Sequence, residues 1–207
     1  MADIKFNNIS PDNIMSNGQQ VDRIYSKGTL VWEHSTTPVF EEVTIGTQTW
    51  MTVNLDVDDG GEGIYAYNND ESNVATYGRL YTWDAAIRVA ASIDGWHLPS
   101  DAEWTELIDY LGGESVAGGK LKETGTEHWS SPNTGATDEY GFTALPGGYR
   151  YNDGTFLDIG DYGHWWSATE LFATYAWNRL MGCNISDVYR NLYSKEFGRS
   201  IRLIKDQ

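Results

Sequence analysis

Cysteine is nearly missing from this chain: Cys183 is the single one in 207 residues, which excludes an intrachain disulfide framework and a thiolate-rich metal site. Long apolar runs are missing as well. None approaches the roughly 18 residues needed to cross a bilayer, so no membrane insertion is expected. Basic side chains are scarce, with 14 Lys and Arg against 30 Asp and Glu; the formal net charge of −16 argues against nucleic acid, whose phosphates reward clustered cations. The opening "MADIKFNNIS" has neither a basic nor an apolar signal-peptide region, so the expectation is a chain made in the cytoplasm without a signal peptide. There is no Gly-x-Ser-x-Gly elbow, no phosphate loop, and no metal-ligand spacing among His34, His97, His128 and His164. No catalytic residue, metal ligand or cofactor is assigned. His97, before Leu98-Pro99, reads as a hydrogen-bonded structural residue.

What is present is a globular composition, 40% hydrophobic and 14% aromatic, at a length that suits one main domain with a small appendage. The charge is unevenly spread. Residues 170–207 hold six basic against four acidic side chains, or +2, which leaves −18 on residues 1–169. Such an end either sets its cations against an acidic body or a partner, or simply carries a few solvated Arg side chains.

Residues 1–33 have short apolar runs, with Val21, Ile24 and Tyr25 followed by Leu30, Val31 and Trp32, punctuated by Asn17-Gly18 and Lys27-Gly28. Runs bounded by such pairs predict small strands and hairpins, too short to bury much alone, so this module should pack on a neighbour or on other chains. Residues 34–40, "HSTTPVF", read as a linker, and the main domain as 41–207. There, Val43, Ile45, Thr47 and Thr49 alternate as in a strand, and Leu80, Trp83, Ile87 and Ala90 have helical spacing. "HLPSDAEWTELIDYLGG" marks a second helix: Ser100 and Glu103 form a capping box, Trp104, Leu107, Ile108 and Leu111 a buried stripe, and Gly112 a stop. Beyond residue 113, "GFTALPGGYR", "GTFLDIG", "HWWSAT", "YAWNRL" and "SIRLI" predict short strands joined by loops. The expected fold class is α+β, two helices on a small antiparallel sheet, preceded by a small β module.

"TIGTQTWMTVNL", "YGRLYTWDAA", "GWHLPSDAEWTEL", "GFTALPGGYR", "WWSAT" and "GRSIRLIKD", in that order over about residues 41–206, resemble the Fibrobacter succinogenes major paralogous domain family. That family is similar to the formylglycine-generating branch of the C-type lectin fold, so the resemblance implies a C-type lectin-like domain whose late strands and loops display a ligand face. The oxidases of that branch need a pair of cysteines, which Cys183 alone cannot supply. "DVDDGGEG" offers Asp56, Asp58, Asp59 and Glu62 as hard-oxygen ligands for calcium, but lacks the EF-hand spacing and reads better as a solvated acidic turn.

Members of the resembled family also serve as variable proteins of diversity-generating retroelements, where changed template adenines diversify AAC codons in a C-terminal cassette. The resemblance implies that residues 170–197 are such a cassette. Its candidate ligand-binding positions are Leu171, Phe172, Ala173, Thr174 and Tyr175, then Leu180, Gly182, Cys183, Asn184 and Ile185, then Asp187, Tyr189, Asn191, Leu192, Tyr193 and Phe197. Met181 and Glu196 are not reachable from AAC through adenine changes, and Met181 reads as an inward scaffold residue. The N-terminal phrase "VDRIYSKGTLVWE" resembles small modules of phage virion proteins, implying attachment to a virion component or self-association through residues 1–33. The expected function is recognition of a host-surface protein or glycan, without catalysis, by a phage or prophage protein displayed on a virion. The alternative is a fixed carbohydrate-binding or adhesion module using the same face.

Overall fold

The computed structural model describes residues 40–207, together with the strand residues 15–16, 19–20, 23–26 and 29–33. The chain divides into two compact units, residues 1–39 and 40–207. In the first, β1 (Met15–Ser16) pairs antiparallel with β2 (Gln19–Gln20), and β3 (Arg23–Ser26) with β4 (Thr29–Glu33). Residues 34–39 of the expected linker, and the side chains of residues 1–33 that would make an attachment, lie outside the described residues.

The second unit begins with β5 (Glu42–Ile45) and β6 (Gln48–Met51), a hairpin where the alternation of Val43 to Thr49 suggests one strand. Gly46 at φ +63 makes the reversal, a backbone conformation that costs glycine little. There follow β7 (Ile64–Tyr65), α1 (Val74–Tyr77), β8 (Leu80–Tyr81), α2 (Trp83–Ala90), β9 (Trp96–His97), α3 (Asp101–Tyr110) and α4 (Glu114–Leu121). The rest is β10 (Gly147–Arg150), β11 (Phe156–Ile159), β12 (Tyr162–Phe172), β13 (Tyr175–Gly182), β14 (Tyr189–Ser194) and β15 (Ile204–Lys205). One sheet has five strands in the order β11-β10-β12-β13-β14, and a second has four, β5-β6-β15-β9. The class is α+β. The larger sheet is not wholly antiparallel, because β10 meets β12 in parallel at Gly148 and Gly163.

Among the described residues four α-helices stand where two are expected. The well-marked one, α3, forms as its residues dictate: the Ser100–Glu103 capping box is closed, and Trp104, Leu107, Ile108 and Leu111 are all buried. α2 begins later than the stripe from Leu80 implies, since Leu80 lies in β8 and Thr82 caps the helix; its buried residues are Ala85, Ala86, Val89 and Ala90. α4 is absent from the sequence reading because Gly118 and Gly119 resemble turn residues. Glycine is needed there by close approach: a Cβ on Gly118 would sit 2.3 Å from the Asp187 carbonyl oxygen, and one on Gly119 2.4 Å from that of Gly135. The two glycines let α4 lie directly on two backbone segments.

Side chains alternate across a strand, so β12 serves two cores at once. Trp165 joins Trp50, Trp104, Phe142 and Met181 beside α3, while Trp166 joins Met51, Tyr81, Val89 and Ile201 beside α2. Met181 is thus the inward scaffold residue its codon suggests. The last buried run, Arg199 to Ile204, threads between these elements. Arg199 exchanges backbone hydrogen bonds with Tyr81, and Ser200, Ile201 and Leu203 accept from Trp166, Leu55 and Met51.

His97 is a hydrogen-bonded structural residue, as the sequence suggests: Nδ1 meets Asp206 at 2.7 Å and Nε2 meets Glu103 at 2.8 Å. Burial alone would lower its pKa, but the two carboxylates outweigh burial and raise it above the ordinary 6.5. A raised folded-state value means stability that is fully present below 6.5 and lost as pH rises through the folded pKa. Because the ring is 40% exposed, the contribution should be only a few tenths of a kcal/mol. An NMR titration should give a midpoint above 6.5, and His97→Gln should lose more stability at acid than at alkaline pH.

Trp104 has no exposed surface and packs 4.7 Å from Trp50, whereas Trp177, in the predicted strand "YAWNRL", is only half-buried. In urea denaturation, Trp104→Ala should lose about 3–5 kcal/mol through the cavity it leaves, and Trp177→Ala clearly less.

Candidate ligand-binding face

Strands β12, β13 and β14 form the platform on which the C-terminal candidates lie. The register is regular between β13 and β14, with Ala176 opposite Tyr193, Asn178 opposite Asn191 and Leu180 opposite Tyr189. His164 lies opposite Leu180 on β12. Period 2 therefore puts Leu180, Gly182, Tyr189, Asn191 and Tyr193 on one face with His164, and Tyr175 and Leu192 on the other. Leu171 to Thr174 close the hairpin at one end of the platform, and Cys183 to Asp187 form the loop at the other. The sixteen candidates do not make one continuous patch.

Exposure divides them further. Leu171, Phe172, Ala173, Thr174, Tyr175, Asn184 and Tyr189 are exposed, and Phe172 shows 60% of its surface. Leu180 and Gly182 are buried, and a Cβ on Gly182 would come within 2.8 Å of the Tyr162 ring. These two belong to the scaffold. Tyr193 and Phe197 are half-buried in an aromatic array with Tyr149, Tyr151 and His164, the Tyr151 and Phe197 rings being 4.5 Å apart.

Beside the hairpin end lies a hollow of about 570 Å³, lined among others by Tyr151, Asn152, Thr174, Tyr175, Glu196 and Phe197. A neighbouring hollow of about 440 Å³ shares Asp84, Asn152, Lys195 and Glu196 with it and adds Tyr65 and Arg150. About half of this groove comes from outside residues 170–197. Tyr149 and Tyr151 do have a sequence signal, an i, i+2 aromatic pair in "GGYRYN", but nothing local says which face of the sheet they join.

Cations hold the platform at both ends, and two of them, Arg179 and Lys122, are buried. Arg179 and Arg190, adjacent across β13 and β14, both bind Asp101 at the start of α3, at 2.8 Å each. Burial would lift the Asp101 carboxyl, but hydrogen bonds from Arg190 and Arg179 outweigh it and keep its pKa below the usual carboxylate range. The Arg190 guanidinium also lies 3.3 Å from the centroid of Trp177, which explains why Trp177 is covered without being in the core. At the other end, the Lys122 ammonium donates to the carbonyl oxygens of Thr134, Gly182 and Ile185 at 2.8–3.0 Å and thereby shapes the 182–187 loop. Burial pulls its pKa down to about 8.

The acidic turn is engaged with the protein itself. Asp59 pairs with Arg88 at 2.7 Å, Asp58 accepts from the Gly60 amide, and Arg79 lies 3.8 Å from Asp58. Among the described residues, no three His, Cys, Asp or Glu side chains gather as a metal site.

Residues 43–205 match the Fibrobacter succinogenes major domain. The chain belongs to that family. Comparison with curated proteins and with solved structures returned no match. Within this Fibrobacter succinogenes major domain the matched span takes in the five-stranded sheet, the two-stranded β7–β8 sheet and all of the four-stranded sheet but Glu42, and leaves out residues 1–42 and 206–207.

Arg179 is only 1% exposed, so removing its carboxylate strands a buried charge. Asp101→Ala should therefore destabilise the domain by about 3–5 kcal/mol, while Arg190→Ala, at the exposed end of the network, should stay within about 1 kcal/mol. Chemical denaturation of the two variants checks the asymmetry.

Proposed function

We propose that this domain is a non-enzymatic recognition protein of C-type lectin-like fold, whose segment 170–197 is a binding surface diversified by a retroelement. The observation that carries the reading is a division of labour along that segment. Its buried or paired residues, Asn178, Arg179, Met181, Val188 and Arg190, make the platform, while exposed large side chains crowd the hairpin end and the outer strand. Leu171, Phe172, Tyr175 and Tyr189 are each 44% exposed or more. Isolated apolar exposure is ordinary, but several large aromatic groups on the two longest neighbouring strands and their edge supply the anchors that recognition surfaces use. Exposed positions also change with little effect on folding, usually within about 0.5 kcal/mol, so recognition can drift on a constant scaffold.

The family resemblance supports the lectin-like fold and the diversification, and the N-terminal phrase supports attachment of residues 1–33 to a virion component or to further copies. The ligand is then a host-surface protein or glycan. The alternative is a fixed carbohydrate-binding module, favoured by one observation: Tyr151, Asn152, Arg150 and Asp84 line the groove and lie outside the cassette.

Sequencing the 3′ end of the gene across its source population separates the two. Diversification requires substitutions concentrated at the codons for Leu171, Phe172, Tyr175, Asn184 and Tyr189, opposite adenines in a nearby template copy. Leu180 and Gly182 should vary less than these, because each is buried. Codons as constant as that of Trp104 would sink the proposal and leave the fixed module. The triple variant Phe172→Ala, Tyr175→Ala, Tyr189→Ala should keep the melting temperature close to that of the parent while losing binding on a host-glycan and surface-protein array.

A further inference from the structure

One group of polar atoms on the platform has no task in the fold. Arg199 is completely buried and His164 nearly so, at 3% exposure. Arg199 Nη1 donates to His164 Nδ1. Burial, and then the Arg199 charge, push the His164 pKa well below its ordinary value, so the ring is neutral, and a ring that accepts at Nδ1 carries its proton on Nε2. That Nε2–H has no partner, nor do Nε and Nη2 of Arg199, among the described residues. Three buried donors are thus left without a close acceptor, so their desolvation goes uncompensated.

Aromatic rings offset part of the cation's charge, and the Tyr193 side chain adds a favourable polar interaction with it. The Arg199 guanidinium lies 3.8 Å from the Tyr193 centroid and 5.3 Å from those of Tyr149 and Trp166. No ion pair to Arg199 occurs among the described residues. Arg199 and His164 line a single cavity of about 110 Å³, bordered by Tyr149, Tyr162, Tyr193 and the exposed residue Asp158.

We infer that this cavity is a binding pocket for one carboxylate group of a ligand. Nε and Nη2 are the two donors on the side edge of a guanidinium, whose parallel N–H bonds match the two oxygens of a carboxylate. His164 Nε2–H supplies a third donor, and the tyrosines provide apolar walls. Asp158 at the border sets the selectivity, since its negative charge opposes anions and disfavours a doubly charged phosphate more than a carboxylate. Leu180 and Tyr193, both on the proposed binding segment, also line the cavity, so a ligand lying on the platform could reach it. The pocket goes beyond the proposed function: its donors lie outside residues 170–197, and it stands whether or not that segment varies.

The test uses the full chain and acetate as the probe, at constant ionic strength set with chloride. In ¹⁵N NMR of arginine side chains, the Arg199 Nε–H resonance should move saturably with acetate, and in Asp158→Asn the affinity should rise roughly three- to tenfold. Acetate should also raise the melting temperature, and Arg199→Met should abolish that rise. If that variant fails to fold, the resonance in the parent and in Asp158→Asn still decides the matter. A resonance that stays still in both would overturn the pocket and leave the donors to water. An equal response to chloride would overturn the carboxylate assignment. Glucuronate and an N-acetyl amino acid then distinguish an acidic sugar from a peptide carboxylate, by which one moves the same resonance at lower concentration.

Discussion

The closing run from Arg199 to Ile204 is the constraint on which the rest of the second unit depends. All six of its residues are at least 98% buried, and its backbone is hydrogen-bonded to segments far apart in the chain, at Met51, Leu55, Tyr81 and Trp166. Removing a strand from the edge of a sheet exposes one row of donors and acceptors, but removing this segment would orphan them in several layers at once. Its side chains do the same: Arg202 donates to the carbonyls of Phe142 and Thr143 and to Asn54, tying the loop before β10 to the one after β6. Burial draws the Arg202 pKa down to about 9, so this cation is tolerated only because those oxygens surround it. Residues 42–51 and 204–205 lie in one sheet, so both ends of the unit are fixed by the same closure.

That closure explains how a platform can be rigid on one side and free on the other. β12 and β13 bury Trp165, Arg179 and Met181 towards α3, where Asp101 holds two arginines. On the opposite side α2 covers only the Trp166 end, and Tyr162, His164, Leu180, Tyr189 and Tyr193 continue beyond it. Core-forming and exposed side chains are thereby carried by different residues of the same strands. The cation–π contact of Arg190 on Trp177 and the Lys122 cradle support the two ends of the platform from below.

Much of the secondary structure was legible from local patterns. α3 was plain, because its cap, stripe and stop are all local signals that agree. α4 was hidden, because Gly118 and Gly119 are there for contacts with residues 187 and 135, which no window of sequence contains. The β5–β6 hairpin reads as one strand in the sequence, because period 2 continues through a tight turn. The candidate site was legible as a segment and not as a surface: the types and order of residues 171–197 mark out the stretch, but which of them face solvent depends on partners across β12 and β14.

The sequence by itself determined the α+β class, the best-capped helix, the absence of a disulfide framework and membership of a domain family whose motifs run from residue 43 to 205. Those properties depend on local propensity, composition and motif order. Only the tertiary structure decided that Leu180 and Gly182 are buried, that Tyr149 and Tyr151 join the aromatic array, and that His164 meets Arg199. Each of these requires strands distant in sequence to pair in one register, and a shift of a single residue would turn every side chain to the other face.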